Sequence, residues 1–406
     1  MSDAVRVLIV APAPLSDDWA GGISNFVRSF VRHMPDDFAV SIASIAGAGD
    51  AYERNWRNET LAGREVRFMP VAGLPVTRRA PHTPVKASAM WGLLKARRHV
   101  PTRGAVVQVH APAMDLPLLL RRAQVIRVVH NAPDNLAAHS SGTSWRHFGW
   151  ALRRIEESSF RRAQRVFFVD RATYQRYAAR DDDGEHMYYL PNGVDTAEFA
   201  PLTQAQRTST RHDLALTLGV RENGPWLLFC GRLDRQKDPE LLIATFAQAR
   251  RLAGLEDAQL IVVGRGPLQE TTVESARAAG VGDAAHFVGP IEHDLLPRVM
   301  GASDALILSS AYEGAPFVVL EALASGLPVV STAVGDVPLL VQHVRTGWIA
   351  STRSAAELAR GVAWAVGQPR DEIAPRAAAS MRAYRIEDVL APFYDAHRRV
   401  AQAASE

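Results

Sequence analysis

Short apolar runs recur along this chain, and between them apolar residues return every three or four positions. Residues 5–10, 39–46, 65–71, 105–110, 125–130, 165–170 and 186–190 read as strands, several of them apolar enough to be buried on both faces. Between the first two, Ile23, Phe26, Val27, Phe30, Val31 and Met34 recur at helical spacing, and a basic helix is expected over 85–100. Trp145, Phe148, Leu152, Ile155 and Phe160 line one side of a further helix whose other side offers Arg146, Arg153, Arg154, Arg161 and Arg162. After a polar stretch without a strand pattern, the alternation restarts: strands at 226–230, 259–263, 286–288, 305–308 and 327–330, with helices at 238–252, 268–278 and 295–300 and one beginning near Phe317. Beyond Gly347 the pattern is helical to the end. Regular β-then-α alternation predicts parallel sheets covered by helices. The fold class is therefore α/β, with two Rossmann-like domains facing each other across a cleft. The expected division is 1–195, a connection at 196–222, a second domain at 223–385 and a terminal helix at 386–406.

Composition adds limits rather than detail. A chain of 406 residues is long for one core and suits two domains. At 47% hydrophobic and 22% charged it reads as a folded soluble protein, and no run reaches the roughly 18 apolar residues of a membrane span. The start, M-S-D-A-V-R-V-L-I-V, reads as a first strand rather than a leader, so a cytoplasmic protein is expected. The single cysteine, Cys230, excludes an internal disulfide and suits a buried small hydrophobe. Without Cys or His pairs at ligand spacing, a structural zinc site is not expected. The net charge of +3 is unevenly placed, since residues 76–166 hold sixteen Lys or Arg against four Asp or Glu. Such a block suits anionic lipid, a polyanion or a pyrophosphate-linked acceptor. No nucleic-acid partner is expected.

The stretch S-S-A-Y-E-G-A-P-F-V-V-L-E-A-L-A-S-G, residues 309–326, concentrates the chemistry. A strand ends before it, Gly314 and Pro316 make a turn, and a helix begins near Phe317, whose open N–H groups suit a phosphate. Glu313 lies on the loop and Glu321 on the helix, in the crevice where open α/β sheets bind ligands. Ionised carboxylates accept hydrogen bonds from hydroxyls, so phosphate plus two acids describes a nucleotide sugar. Taken singly, each acid could equally be a solvated surface group. Arg232 and Lys237, in G-R-L-D-R-Q-K-D, follow another strand and together suit a diphosphate. No Asp-x-Asp pair is placed to hold a metal, so these cations are expected to neutralise the leaving group. Gly21-Gly22 forms a further glycine turn into a helix, and His130 sits at a strand's carboxyl end. The run Gly264-Arg265-Gly266-Pro267 fails the dinucleotide fingerprint because its third glycine would fall at Gln269. G-x-x-x-x-G-K-[ST] and G-x-S-x-G motifs are missing too.

As a set, these motifs resemble the GT-B glycosyltransferases, most closely the large retaining group called family 4. The resemblance rests on Gly21-Gly22, His130, P-N-G-V-D at 191–195, G-R-x-x-x-x-K with Arg232 and Lys237, G-x-G-P at 264–267, F-V-G at 287–289, and E-G-x-P-x-x-x-x-E from Glu313 to Glu321. It implies that Arg232 and Lys237 bind the donor diphosphate, Glu313 the transferred sugar and Glu321 the ribose diol. Backbone at Phe317, Val318 and Val319 would meet the phosphate, and Gly264, Gly266 and Val288 would border the base. From the first, acceptor-side domain, His130 would touch the sugar near its anomeric carbon and Gly22 the phosphates. The helix at 386–400 would cross back to that domain. The implied activity is retaining transfer, without an obligatory metal or other cofactor, from a UDP-, GDP- or ADP-sugar to a glycan or lipid-linked acceptor in polysaccharide or glycoconjugate biosynthesis. Peripheral contact of segment 76–166 with an anionic membrane is a further expectation. Leu339 departs from the pattern, standing where relatives often have an acid, which removes one expected donor contact. Two alternatives stay open: a nucleotide-sugar epimerase of the same architecture, and a sugar-nucleotide binder without catalysis.

Overall fold

The computed structural model describes residues 4–15, 21–47, 53–73, 85–111, 114, 123–130, 149–179 and 186–404, with backbone only at 85–87, 149–153 and 155. Its contacts divide the chain into two compact units, Met1–Pro191 with Glu387–Glu406, and Asn192–Ile386. The sequence expectations for 74–84 and 131–148 fall outside the described residues.

The first unit contains β1 (Val5–Pro14), α1 (Gly22–Arg32), β2 (Phe38–Ala46), β3 (Arg57–Leu61), β4 (Arg64–Gly73), α2 (Val85–Ala96), β5 (Val106–Val109), β6 (Gln124–Val129), α3 (Gly149–Arg162), β7 (Arg165–Phe168), α4 (Arg171–Ala178) and β8 (Met187–Tyr189). Among the described residues the sheet runs β3-β4-β2-β1-β5-β6-β7-β8. All neighbours are parallel except β3, which is antiparallel to β4. That hairpin corrects the sequence reading. The R-N-E-T-L run of β3 is too polar to register as a strand, and it forms because Ala62 and Gly63 both take positive φ, at 50° and 78°, which turns the chain back in two residues. Helix α4 was also not foreseen; Asp170 caps it by accepting from the Thr173 N–H at 2.8 Å.

The central strands are buried on both faces, with Val7 to Ala11 at most 1% exposed. On α3, Phe160 is buried against Phe168 and Tyr177 while Arg154, Arg161 and Arg162 are exposed, so at this point the apolar side covers its own sheet. The C-terminal helix (Ile386–Ala403) returns to the first unit. Its fully buried Phe393 packs among Phe26, Phe30 and Phe167. Its Tyr394 hydroxyl donates to the Phe30 carbonyl at 2.8 Å, and Arg398 donates twice to the Asp37 carboxylate, each at 2.9 Å.

The second unit contains α5 (Gln204–Leu218), β9 (Trp226–Cys230), α6 (Pro239–Ala249), β10 (Gln259–Val263), α7 (Gln269–Ala278), β11 (Ala285–Gly289), α8 (Leu296–Ala302), β12 (Ala305–Leu308), α9 (Phe317–Ala324), β13 (Val329–Thr332), α10 (Val337–Leu340), β14 (Gly347–Ala350), α11 (Ala355–Val366) and α12 (Arg370–Ser380). Its strands, all parallel, run β11-β10-β9-β12-β13-β14, the doubly wound order whose ligand crevice lies where the order reverses, between β9 and β12. Strand β14 overturns the expectation of unbroken helix after Gly347. Four residues, G-W-I-A, extend the sheet by pairing with β13, and Gly347 is needed there because a Cβ would overlap the Val329 carbonyl. Residues 196–222, expected to connect two domains, pack within this unit. Arg207 and Arg211 of α5 hold the Asp304 carboxylate at 2.6 and 3.1 Å, and Asp304 also accepts from the Trp226 N–H at 2.7 Å. Among the described residues, no helix is long and apolar enough to cross a membrane.

Candidate active site

In the second unit the loops leaving β9 and β12 meet at the switch point. Lys237, after β9, places Nζ 2.6 Å from Oε1 of Glu313, after β12, and both side chains are largely buried, at 17% and 6% exposure. The Ser310 hydroxyl donates to the same carboxylate oxygen at 2.5 Å, and Gln236 Nε2 lies 3.4 Å from the other. The two loops are also laced by backbone: the Ala311 N–H donates to the Gln236 carbonyl at 2.7 Å, and the Ser309 hydroxyl to the Lys237 carbonyl at 2.7 Å. Asp234 shapes the first loop by accepting from the N–H groups of Gln236 and Lys237. A lysine and a glutamate far apart in sequence thus become one buried, charge-paired unit, in which each ion keeps a partner out of bulk water.

Arg232 stands at the edge of this cluster, half exposed, with Nε 3.6 Å from Asp234. Tyr312 feels these charges. Its phenol is held above its ordinary value first by burial, then by Asp234 and Glu313, while Arg232 acts in the opposite direction. Glu321, on α9, is electrostatically close to Cys230. The Cys230 residue is partly exposed, yet its thiol is pushed up to about 12, chiefly by burial and next by the Glu321 carboxylate. That thiol is inert at neutral pH.

Helix α9 starts at Phe317 after Pro316, with no side chain capping it. Phe317, Val318 and Val319 are buried side chains, so only their backbone can face a ligand. The Val319 N–H is already bonded to the Pro316 carbonyl at 3.2 Å. Phe317 and Val318, ahead of it, occupy first-turn positions to which a helix supplies no carbonyl. Asn192 braces the turn by donating from Nδ2 to the Ala315 carbonyl at 2.6 Å, a use of the P-N-G motif that its sequence did not disclose. On the other side, the Asp336 N–H donates to the Gly314 carbonyl at 2.8 Å, and Gly335 abuts that carbonyl so closely that a Cβ would overlap it. Leu339, on α10, is exposed.

Gly264 and Gly266 have a packing reason beyond ligand approach. Gly264 has φ +114° and a Cβ there would overlap the Gly231 carbonyl; one on Gly266 would overlap the Leu233 carbonyl. The Gly264 N–H donates to the Gly289 carbonyl at 2.8 Å, and Leu268 N–H to the Leu233 carbonyl at 2.9 Å, stacking the loops after β9, β10 and β11. Val288, on β11 beside Gly289, is partly buried.

In the first unit, Gly22 opens α1 behind an extended Gly21, and nothing lies within 4 Å of where its Cβ would be. The same helix supplies Phe26, whose ring meets the His130 imidazole edge-on at 5.3 Å between centroids. His130 follows β6 and its Nε2 lies 2.8 Å from Nδ1 of buried His110, which follows β5. The predicted residues therefore form two groups: Gly22 and His130 in the first unit, and the remainder in the second. Ser310, Gln236, Tyr312, Asp234 and Asn192 were missed. Their only sequence signal was their place inside the motifs that supplied Glu313, Lys237 and the P-N-G turn.

A family model described as glycosyl transferases group 1 matches residues 216–384, and one described as glycosyltransferase family 4 matches residues 20–198. The GDP-mannose-dependent alpha-(1-6)-phosphatidylinositol monomannoside mannosyltransferase of Mycobacterium tuberculosis is 29% identical over 354 residues, covering 84% of this chain and 85% of that protein. Among solved structures, sucrose-phosphate synthase from Thermosynechococcus elongatus overlays with a TM-score of 0.75 at 19% identity, covering 98% of this chain and 100% of that one. The Anabaena protein HepE, in complex with UDP and glucose, overlays at 0.69 with 16% identity and 99% coverage of each chain. With each half matched by its own model and one relative aligned across both, the chain belongs to the group 1 glycosyltransferases of GT-B fold, enzymes of nucleotide-sugar glycosyl transfer.

Proposed function

We propose that this enzyme moves a sugar, with retention of anomeric configuration, from a nucleoside diphosphate sugar to a lipid-linked acceptor, and that it needs no metal to do so. The observation that carries the reading is the Lys237–Glu313 pair at the β9/β12 switch point, beside the uncapped start of α9. Lys237 and Arg232 supply positive charge for a departing diphosphate, and the first-turn N–H groups of α9 supply donors for its oxygens. Glu313 is oriented by Ser310 and Gln236 to accept from sugar hydroxyls, and Glu321 is assigned to the ribose diol. Gly264, Gly266 and Val288 border the base. In the unit assigned to the acceptor, Gly22 is assigned to the phosphates and His130 to the sugar. The bond from the anomeric carbon to the phosphate oxygen breaks with its electrons passing to the diphosphate. The acceptor hydroxyl adds on the same face, and its proton leaves with the departing group.

The Mycobacterium tuberculosis relative is named for GDP-mannose and a phosphatidylinositol mannoside, which supports a GDP-sugar as first donor and a glycolipid as acceptor. Peripheral work at the cytoplasmic face of an anionic membrane is supported by the basic segment 76–166 and, within it, by exposed Trp91 beside Lys95 on α2. The test is donor turnover in chelator with a panel of nucleotide sugars and glycolipid acceptors. Arg232→Ala should slow transfer by a factor on the order of 10² at saturating donor. Unchanged turnover refutes the assignment. Free sugar nucleotide interconverted without acceptor would favour the epimerase.

A further inference from the structure

Behind His130 runs a line of buried polar side chains that sugar transfer does not by itself require. His130 Nε2 lies 2.8 Å from His110 Nδ1, and His110 Nε2 lies 2.7 Å from the Gln108 amide. The other end of that amide lies 3.0 Å from His397 Nε2, and His397 Nδ1 lies 2.8 Å from the Phe393 carbonyl on the C-terminal helix. Gln108, His110 and His397 are at most 2% exposed. Aromatic rings wall the line: Phe26 lies 5.5 Å from His110, and Phe30 and Phe393 lie 5.5 and 4.6 Å from His397.

The far end decides the direction of every bond. A carbonyl only accepts, so His397 Nδ1 must donate to Phe393. As placed, the Gln108 oxygen faces His397 Nε2, which would force a proton onto that nitrogen too and make His397 a cation in an apolar pocket. Burial opposes this, holding His397 down at about 4. Turning the amide over exchanges its oxygen and nitrogen without changing its shape, and the conflict disappears. Gln108 then donates to His397 and accepts from the His110 Nε2–H. His110 is held neutral by burial first and then by His130, buried Arg127 and His397 around it, so its Nδ1 must accept.

We infer that Gln108, His110 and His397 are positioning residues: a one-directional hydrogen-bond chain, anchored on the C-terminal helix, that holds His130 as the Nε2–H tautomer and makes its Nδ1 an acceptor. For the donor sugar, and resting on the proposed function, this selects a hydroxyl that donates to the histidine, and it disfavours a deoxy or ether position there. The tautomer itself does not depend on that reading.

Long-range proton–nitrogen spectra of the full chain with nitrogen-labelled histidine test it, with signals assigned by single His variants. At pH 7.5, His130 and His110 should each show a protonated Nε2 and a bare Nδ1, and His397 the reverse. Gln108→Leu should cut the line and turn the His130 and His110 signals into tautomer mixtures. If that variant does not fold, the unaltered protein's spectrum still decides. A protonated Nδ1 on His130, or His397 protonated on both nitrogens at pH 7.5, overturns the inference. If the tautomers are as assigned while Arg232→Ala leaves turnover unchanged, the chain of bonds stands and the transfer assignment falls.

Discussion

The two units reverse their strand order in the same way, at β1/β5 in the first and β9/β12 in the second, yet they equip those points with opposite chemistry. The second unit buries an ion pair, Lys237 with Glu313, supported by Ser310 and Gln236. The first buries three uncharged histidine and glutamine side chains in a line behind His130. Charges act at a distance and suit the binding of a departing anion. Neutral rings hold no charge, and what they transmit is direction, because each donor must find an acceptor in turn. Breaking the pair therefore leaves a buried charge uncompensated, whereas breaking the line removes its direction.

The sharpest way to break this contrast is Lys237→Ala. Removing the cation should lower turnover by a factor on the order of 10³ at saturating donor, the upper range for one preorganised charge. Glu313, 6% exposed, then keeps only Ser310 and Gln236 and loses its counter-charge, so the second unit should also lose about 3 kcal/mol of stability. A large thermal shift with normal turnover would show the pair to be scaffolding.

The neutral line predicts a pH dependence that an ion pair would not produce. Unfolded, His397 takes up a proton below its ordinary value of 6.5; in the fold it stays neutral down to about 4. Stability from this group is thus complete above 6.5 and declines as pH falls from 6.5 to about 4, by about 3 kcal/mol in all. His110, lowered in the same direction, adds to the loss. Chemical denaturation of the first unit at pH 7 and pH 4.5 measures it. A flat profile would mean that the rings are already charged or exposed.

The smallest expected effects compare two glycines. Gly264→Ala puts a Cβ onto the Gly231 carbonyl at φ +114° and should destabilise by about 2 kcal/mol. Gly22→Ala meets nothing within 4 Å and should change stability by no more than about 0.5 kcal/mol. Equal melting shifts would show that packing separates them less than their surroundings indicate.

Much of this was legible from residue order alone. Buried parallel strands are nearly continuous apolar runs, so both sheets could be counted out strand by strand; the polar hairpin strand β3 and the short β14 escaped because their pairing partners, not their composition, make them strands. Glu313, Lys237, Arg232 and His130 stood out because each follows a strand end in a motif whose spacing sets a turn. What no local pattern could contain is that Lys237 and Glu313 form one ion pair across the switch point, or that His397, near the chain's end, closes a line begun at His130. Those arrangements depend on which strand ends the fold sets side by side and on which faces it seals from water. Periodicity records which residues go inside; only packing decides whom they meet there.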